Sequence, residues 1–475
     1  MTTQVLIAGA GPTGLTLAVD LARRGVAVRV VDRDEAFAGS RGKGLQPRTQ
    51  EVLDDLGVIE RTLAVGGPYP PVRGYRHEQV VWERPMAPEL DPREDVPYPN
   101  TLMVPQWRTV QILRERLAEL GGHVEFRTEL TRFAQDDNGV TVILSRDGST
   151  EDVRVDYLVG ADGGRSGVRK GLPVEFAGQT LEQHQMFIAD VRVDGLDRNH
   201  WHMWLDETCR LPLLALCPMA GTDTFQLTVP TTGDTRPGDL QELLERASGR
   251  TDLTLREVGW SSSWRANVRM VDRYRVGRVF LAGDAAHVHS PTGGQGLNTG
   301  VQDAHNLGWK LGAVLAGADQ SLLDTYQAER LPVAAAVLGI STELLNKAAR
   351  GDEDAMRRDD PVLKQLGLHY RDSPLSVDLR ERPGALRAGD RAPDGVHGEG
   401  RLFDLFRGPQ FTVLAFGDAQ YEGAASVTGN PAYDIAGDAL VVVRPDGYIG
   451  LIASTGNQVA EYLARVRCGV VAVGA

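Results

Sequence analysis

Cysteine is scarce in this chain: Cys209, Cys217 and Cys468 are the three among 475 residues, and no CxxC spacing occurs. That excludes a disulfide framework and a dithiol redox centre. Long apolar runs are missing too, none approaching the roughly 20 residues that cross a bilayer. The N-terminus shows no basic n-region and no cleavage signal, so a cytoplasmic protein without membrane association is expected. Positive charge is in deficit, with a formal net charge of -13. Nucleic acid and anionic membranes are therefore not expected as partners. No internal repeat, no low-complexity tract, no evident nucleophile triad and no metal site stand out. The apolar share, 42%, is that of an ordinary globular protein, and 475 residues call for two or three domains.

What is present is glycine in two particular places. Gly9-Ala10-Gly11-Pro12-Thr13-Gly14 follows the apolar run Val5-Leu6-Ile7-Ala8. Residues 4–8 read as a buried strand and residues 13–24 as a helix with Gly14, Ala18 and Leu21 on one face. A second strand, Val26 to Val31, ends at Asp32. The glycines divide the work: a tight turn at Gly9, close approach of a pyrophosphate at Gly11, helix-to-strand packing at Gly14. The helix N-terminus offers amides and the positive dipole end to phosphates. Asp32, 18 residues beyond Gly14, can accept hydrogen bonds from a ribose. A dinucleotide is the expected ligand.

The basic loop Ser40-Arg41-Gly42-Lys43-Gly44-Leu45 comes next, then a helix over Arg48 to Leu56. Residues 66–100, rich in proline and polar groups, read as a surface excursion. Val104-Pro105-Gln106 opens another helix; Gln106 stands at its start, either as a surface cap or aimed at a ligand. A hairpin over Val140 to Val155 turns at Asp147-Gly148. The strand after it, from Tyr157, runs into Asp162-Gly163. The second glycine-rich segment starts at Gly283-Asp284, after Val279-Phe280-Leu281-Ala282. It continues through Pro291-Thr292-Gly293-Gly294-Gln295-Gly296-Leu297-Asn298 into a helix with Val301, Ala304, Gly308, Leu311 and Leu315 in one stripe. Asp284 can hold ribitol hydroxyls or organise water at a pyrophosphate. Free amides at Gly296, Leu297 and Asn298 suit the negative charge of a reduced flavin, which narrows the dinucleotide to FAD. His287 and His289 read as packing groups first and as acid–base groups second.

The three segments GAGPTG with Asp32, GADGGRSGVR and FLAGDAAHVHSPTGGQGLN resemble the motifs of the class A flavoprotein monooxygenases. These are aromatic hydroxylases of the p-hydroxybenzoate hydroxylase type. SRGKGL, QPRTQEVLDDLGV and Val104-Pro105-Gln106 match the family order, and the resemblance covers about the whole chain. Its closest flavour is that of the actinomycete polyketide and antibiotic-tailoring hydroxylases. The resemblance implies an α/β fold: a Rossmann-like FAD-binding domain (1–179 and 276–385), a β-sheet substrate domain (180–275), and a thioredoxin-like C-terminal domain (386–475) without redox cysteines. It implies FAD and NADPH (or NADH) as cofactors. Gly9, Gly11 and Gly14 would bind the pyrophosphate, and Asp32 the adenosine ribose with Arg33 near the adenine. Arg41 and Gln106 would touch the flavin or its ribityl chain. Asp162, with Gly163, would serve both FAD and NADPH. Asp284 would contact pyrophosphate and ribitol, while Gly296, Leu297 and Asn298 hold the isoalloxazine. Pro291, at the oxygen-bearing face of the ring, and Arg41 would be closest to the reaction. Position 32 is Asp where many members carry Glu, which changes reach and not role.

The implied chemistry is reduction of FAD by NADPH, addition of O2 to give a flavin C4a-hydroperoxide, and transfer of its distal oxygen to an electron-rich ring. No side-chain nucleophile is needed, and none is evident. There is no second GxGxxG unit for NADPH; family members let the flavin move to meet it. Residues 180–275 read mostly as strands and would form the substrate pocket. Trp201, Met203, Trp204, Leu213 and Phe225 are its candidate lining, core packing being the competing reading, and His202 is a candidate base. The expected activity is hydroxylation of a large aromatic, polyketide-like substrate by O2. Baeyer–Villiger oxidation, epoxidation or dehydrogenation on the same fold is the alternative, followed by non-catalytic flavin or ligand binding. Halogenation is disfavoured because no WxWxIP-like segment occurs. Monomer and homodimer both stay open.

Overall fold

The computed structural model describes residues 3–468 apart from 37–38, 210, 232–237, 291–292, 351, 353–356 and 429. The nucleotide end is a six-stranded sheet in the order Arg275–Val276, Val279–Leu281, Tyr157–Gly160, Val5–Ala8, Val28–Val31, Val124–Glu125. Its pairings are parallel except at the Arg275–Val276 edge. A parallel sheet is covered on both faces and needs continuous apolar strands; Val5, Leu6 and Ile7 are accordingly fully buried. The helix Pro12–Ala22 starts on Pro12, whose missing N–H has no intrahelical partner to lose. It packs against the helix Gly296–Leu315. Glycine makes that close approach possible: a Cβ on Gly308 would lie 2.1 Å from Asp20 Oδ2, and one on Gly300 2.4 Å from Thr13 Oγ1.

The second sheet has eight strands, ordered His287–Val288, Thr254–Val271, Phe176–Asp194, Phe225–Thr231, Pro212–Pro218, Trp201–Leu205, Val72–Arg76, Gln79–Arg84. It draws on more chain than the expected 180–275 window. Position 180 falls inside a strand that begins at Phe176. Part of the supposed surface excursion, the hairpin Val72–Arg84, joins the sheet by pairing in parallel with Trp201–Leu205. Side chains alternate across the sheet. Phe187, Ala189, Val191, Trp204, Leu214, Leu216, Phe225 and Leu227 form an apolar core on one face with Leu244 and Ala247 of the helix Leu240–Ser248. Met186, Ile188, Trp201, Met203, Ala215, Gln226 and Thr228 face a cavity on the other.

The tail forms a five-stranded mixed sheet, Val377–Asp378, Ile449–Ala453, Ala439–Val443, Thr412–Phe416, Ala425–Val427, with the helix Gly456–Cys468. It docks through charge as well as apolar contact. Trp309 belongs to the same core cluster as Val442 and Leu451. Buried Arg444 donates to both carboxylate oxygens of buried Glu329, at 2.7 and 2.9 Å, and Glu329 also accepts from Lys310 at 2.7 Å. Arg391 bonds Glu51, and Arg401 and Arg407 bond Asp54, on the helix Pro47–Asp55. Among the described residues no helix is long and apolar enough to cross a membrane.

Candidate functional site

A single cavity of about 2070 Å³ lies between the six-stranded and eight-stranded sheets. Pockets for one drug-sized ligand run to roughly 300–1,000 Å³, so there is room for a dinucleotide and a second molecule. Gly9, Gly11, Asp32, Arg33, Arg41, Gln106, Asp162, Asp284, Gly296, Leu297, Trp201 and Met203 all line it.

At the nucleotide end the three glycines have different steric surroundings. Gly9 has φ +107, and a Cβ there would lie 2.3 Å from the Ala161 carbonyl oxygen. A Cβ on Gly14 would lie 2.0 Å from the Gly9 carbonyl oxygen, so Gly14 packs behind the wall and does not line it. A Cβ on Gly11 would meet nothing within 4 Å. Its space is cavity. The Asp32 carboxylate accepts from the Ala10 amide at 2.7 Å and the Asp34 amide at 3.0 Å. Burial pushes its carboxyl up, against those two bonds. Arg33 is exposed at the rim, 3.6 Å from Asp34. Asp162 accepts from the Gly167 amide at 2.7 Å and the Val168 amide at 3.2 Å, closing the turn after its strand.

The opposite wall is the start of the helix Gly296–Leu315. Its first intrahelical bond runs from the Thr299 amide to the Gln295 carbonyl at 2.9 Å. The amides of Gly296, Leu297 and Asn298 therefore have no intrahelical acceptor. The buried Asn298 side chain is spent on structure: it donates to the Gly44 and Gly294 carbonyls at 2.9 and 2.7 Å and accepts from the Gln46 amide at 2.8 Å. Thus the 40–46 loop and the 293–298 loop are clamped together. Gln106 joins the same clamp by accepting from the Gly42 amide at 2.9 Å. Asp284 is exposed to the cavity. The turn carrying it is held by buried Asp303, which accepts from the Gly283 amide at 3.1 Å, His287 at 2.7 Å and Arg330 at 2.7 Å. That support was missed in the sequence, where His287 reads as a packing group first and an acid–base group second. Pro291 lies outside the described residues.

On the sheet side, Trp201 and Met203 reach the cavity, but Leu213 and Phe225 do not. Phe225 and Trp204 point into the core on the far face, because one residue of phase inverts a strand. Leu213 is 44% exposed and outside the cavity wall. His202 is also a packing group: fully buried, its ring is bonded to the Tyr75 hydroxyl at 2.8 Å and the Asp197 carbonyl at 2.9 Å. The residues that sequence reading passed over are Lys43, Tyr69, Gln226 and Arg358, all in the cavity wall. Lys43 stood in the basic loop; for the others no local signal existed. Elsewhere Asp20, Asp55 and His305 are spaced as metal ligands would be, but the Arg23 guanidinium already bonds both carboxylates.

The family model for an FAD binding domain matches residues 2–341. A flavin-dependent monooxygenase of Mycobacteroides abscessus is 49% identical over 480 residues, covering 97% of this chain and 99% of the relative. The 6-methylpretetramide 4-monooxygenase of Streptomyces rimosus is 35% identical over 509 residues, covering 94% of this chain and 90% of that protein. Among solved structures, a ternary complex of aklavinone-11 hydroxylase with FAD and aklavinone superposes with a TM-score of 0.81 at 28% identity, covering 98% of each chain.

Proposed function

This chain belongs to the FAD-binding family of flavin-dependent monooxygenases, and from that premise we propose that it hydroxylates a large aromatic, polyketide-like substrate held between the flavin and the eight-stranded sheet. The observation that carries the reading is the single cavity joining the Gly11–Asp32 wall, the start of the Gly296–Leu315 helix and the Trp201–Met203 wall. The donor set fits FAD: open space at Gly11, an acid at Asp32, and helix-start amides at Gly296, Leu297 and Asn298. When bound, FAD supplies acceptance of hydride from NADPH (or NADH) and activation of O2.

The chain's own work is binding, orientation and exclusion of water. Gly9, Gly11 and Gly14 shape the pyrophosphate turn, Asp32 takes the ribose hydroxyls, and Arg33 flanks the adenine. Asp284 holds the ribitol end with Arg41 and Gln106. Helix-start amides 296–298 stabilise negative charge on the ring, the helix dipole adding to them. Asp162 keeps its proposed share in FAD and NADPH binding. The aromatic, largely apolar far wall excludes water from the reacting atoms. We read the chain as an FAD domain, a sheet domain for substrate and a thioredoxin-like tail; the mixed five-stranded sheet of the tail supports that last reading.

Aromatic substrates are supported by what the relatives are named for, 6-methylpretetramide in one and aklavinone in the other. The test is NADPH consumption by the purified holoenzyme against polycyclic phenols, with product mass and NMR read alongside. One oxygen added to an intact ring is expected. Ring expansion, or loss of two hydrogens, would select Baeyer–Villiger or dehydrogenase chemistry instead.

A further inference from the structure

Lys43 is a cation in the cavity wall that, among the described residues, has no carboxylate within ion-pair distance. Its backbone is fixed on both sides, since the Gly42 amide is bonded to Gln106 and the Gly44 carbonyl to Asn298. From that clamped loop its side chain crosses to the eight-stranded sheet. There Nζ lies 4.3 Å over the Trp201 ring and 2.5 Å from Gln226 Oε1. Gln226 is itself buried and held by the Ser40 carbonyl. Among the described residues no carboxylate forms an ion pair with this ammonium, whereas the buried Arg444, Arg330 and Lys310 are each paired.

The titratable groups facing Lys43 come from two strands. Asp190, on Phe176–Asp194, faces it, and burial pushes the Asp190 carboxyl up to about 6 against the attraction of Lys43. Cys217, on Pro212–Pro218, has its thiol pushed up by burial, with Lys43 opposing, and half-buried Tyr69 lies close to Cys217. Arg41 is the other cation of the loop and is exposed. A half-buried ammonium with three donors, stacked on an indole and hydrogen-bonded to a neutral amide, carries a desolvation cost that an anion in the cavity would offset. The groups named here offer no charge to fill that role within ion-pair reach.

We propose that Lys43 is a specificity-determining residue that receives an anionic oxygen of the substrate, so that this enzyme selects aromatic substrates carrying an acidic phenol or enol and binds them ionised. This rests on the reading that the cavity takes an aromatic substrate, and it names the substrate's chemical class. Placing the cation on the loop that also carries Gly42 and Gly44 puts the recognised oxygen near the clamp shared with Gln106 and Leu297. An ionised ring oxygen also makes the ring a better electron donor, which is what electrophilic oxygen transfer requires. No proton transfer within the protein is involved, because the anion enters from water already formed.

The test uses FAD-loaded enzyme and two probes: alizarin, whose absorbance reports its ionisation, and its 2-methyl ether, which lacks the acidic hydroxyl. Wild type is expected to bind alizarin as the anion and to lower its apparent ionisation pH when bound. Lys43→Met is expected to weaken alizarin by about ten- to a hundredfold, the scale of a charge-assisted hydrogen bond. It should return the bound probe's ionisation to its free value and leave the ether's affinity unchanged. Lys43→Arg should recover most of the preference. FAD content is measured on every variant, so a misfolded protein is recognised, and Lys43→Arg then carries the comparison of the two probes. Failure of wild type to prefer ionised alizarin over the ether overturns the proposal, as does an unchanged preference in Lys43→Met. Substrate-stimulated NADPH consumption is scored separately: its absence counts against the monooxygenase reaction, not against Lys43.

Discussion

Gly11→Ala separates what the glycine turn does for the fold from what it does for the cofactor. Gly11 has φ -75 and ψ -178, a conformation open to any residue, and an added Cβ meets no protein atom within 4 Å. The apoprotein should therefore not suffer. Removing glycine's freedom from the unfolded chain should instead stabilise it by about 0.4–1 kcal/mol. The methyl projects into the space proposed for the cofactor's pyrophosphate. Overfilling a close contact costs about 1–3 kcal/mol, so FAD should bind about 5- to 150-fold more weakly. Gly14→Ala is the contrasting case. Its Cβ would sit 2.0 Å from the Gly9 carbonyl oxygen, a backbone atom that no rotamer change can move. It should lower apoprotein stability by about 3 kcal/mol. Urea unfolding of the apoproteins and quenching of FAD fluorescence on titration give both quantities. Wild-type FAD affinity in Gly11→Ala, or equal loss of apoprotein stability in both variants, would refute the division of labour.

Three further outcomes follow from the buried polar groups. Asn298→Ala removes three hydrogen bonds that join the 40–46 and 293–298 loops. It should cost about 2–4 kcal/mol in urea unfolding and weaken FAD as well; an unchanged FAD titration would detach the clamp from the cofactor. Glu329→Gln leaves Arg444 and Lys310 short of charge at 0% exposure, and should destabilise by about 3–5 kcal/mol. Burial raises the Glu329 carboxyl, but the Arg444 and Lys310 cations outweigh it and hold the group well below the ordinary glutamate value of 4.5. The folded state thus binds this proton less readily than the unfolded state. Stability from this group is present above about pH 4.5 and drains away as acid is added. An acid-unfolding profile identical in wild type and Glu329→Gln would contradict that. Asp190 has the opposite sign. Its carboxyl moves from 3.8 up to about 6, so the folded state holds the proton longer and stability falls as pH rises between those values. The span is worth at most about 3 kcal/mol. Asp190→Asn should flatten that slope in urea midpoints taken at pH 4 and pH 8; the wild-type slope persisting in the variant would locate it elsewhere.

Much of the nucleotide end is legible in sequence because its signals are local. A strand, three spaced glycines and an acid 18 residues on all lie within Val5–Asp32, and the structure gives each glycine a distinct steric setting. The cavity wall on the eight-stranded sheet was legible only in composition. Trp201 and Met203 face the cavity while Phe225 faces the core, a distinction set by strand phase, which a bulge can reset and which a single sequence leaves open. The hairpin Val72–Arg84 was hidden for another reason: its partner strand Trp201–Leu205 is remote, and proline around it reads as loop. The supports at the tail, Glu329 with Arg444, and behind the Asp284 turn, Asp303 with His287 and Arg330, are long-range polar contacts with no periodic pattern to announce them. Lys43 shows how a charge can read as a solvated loop residue and yet fold into a cavity wall.

The most direct measurement is an electron-density map of the protein crystallised with FAD. The account predicts one FAD per chain in the cavity, its pyrophosphate against Gly11, its adenosine ribose at Asp32 and its ring edge at the amides of Gly296, Leu297 and Asn298. A ring lodged elsewhere, or FAD bound outside this cavity, would contradict it.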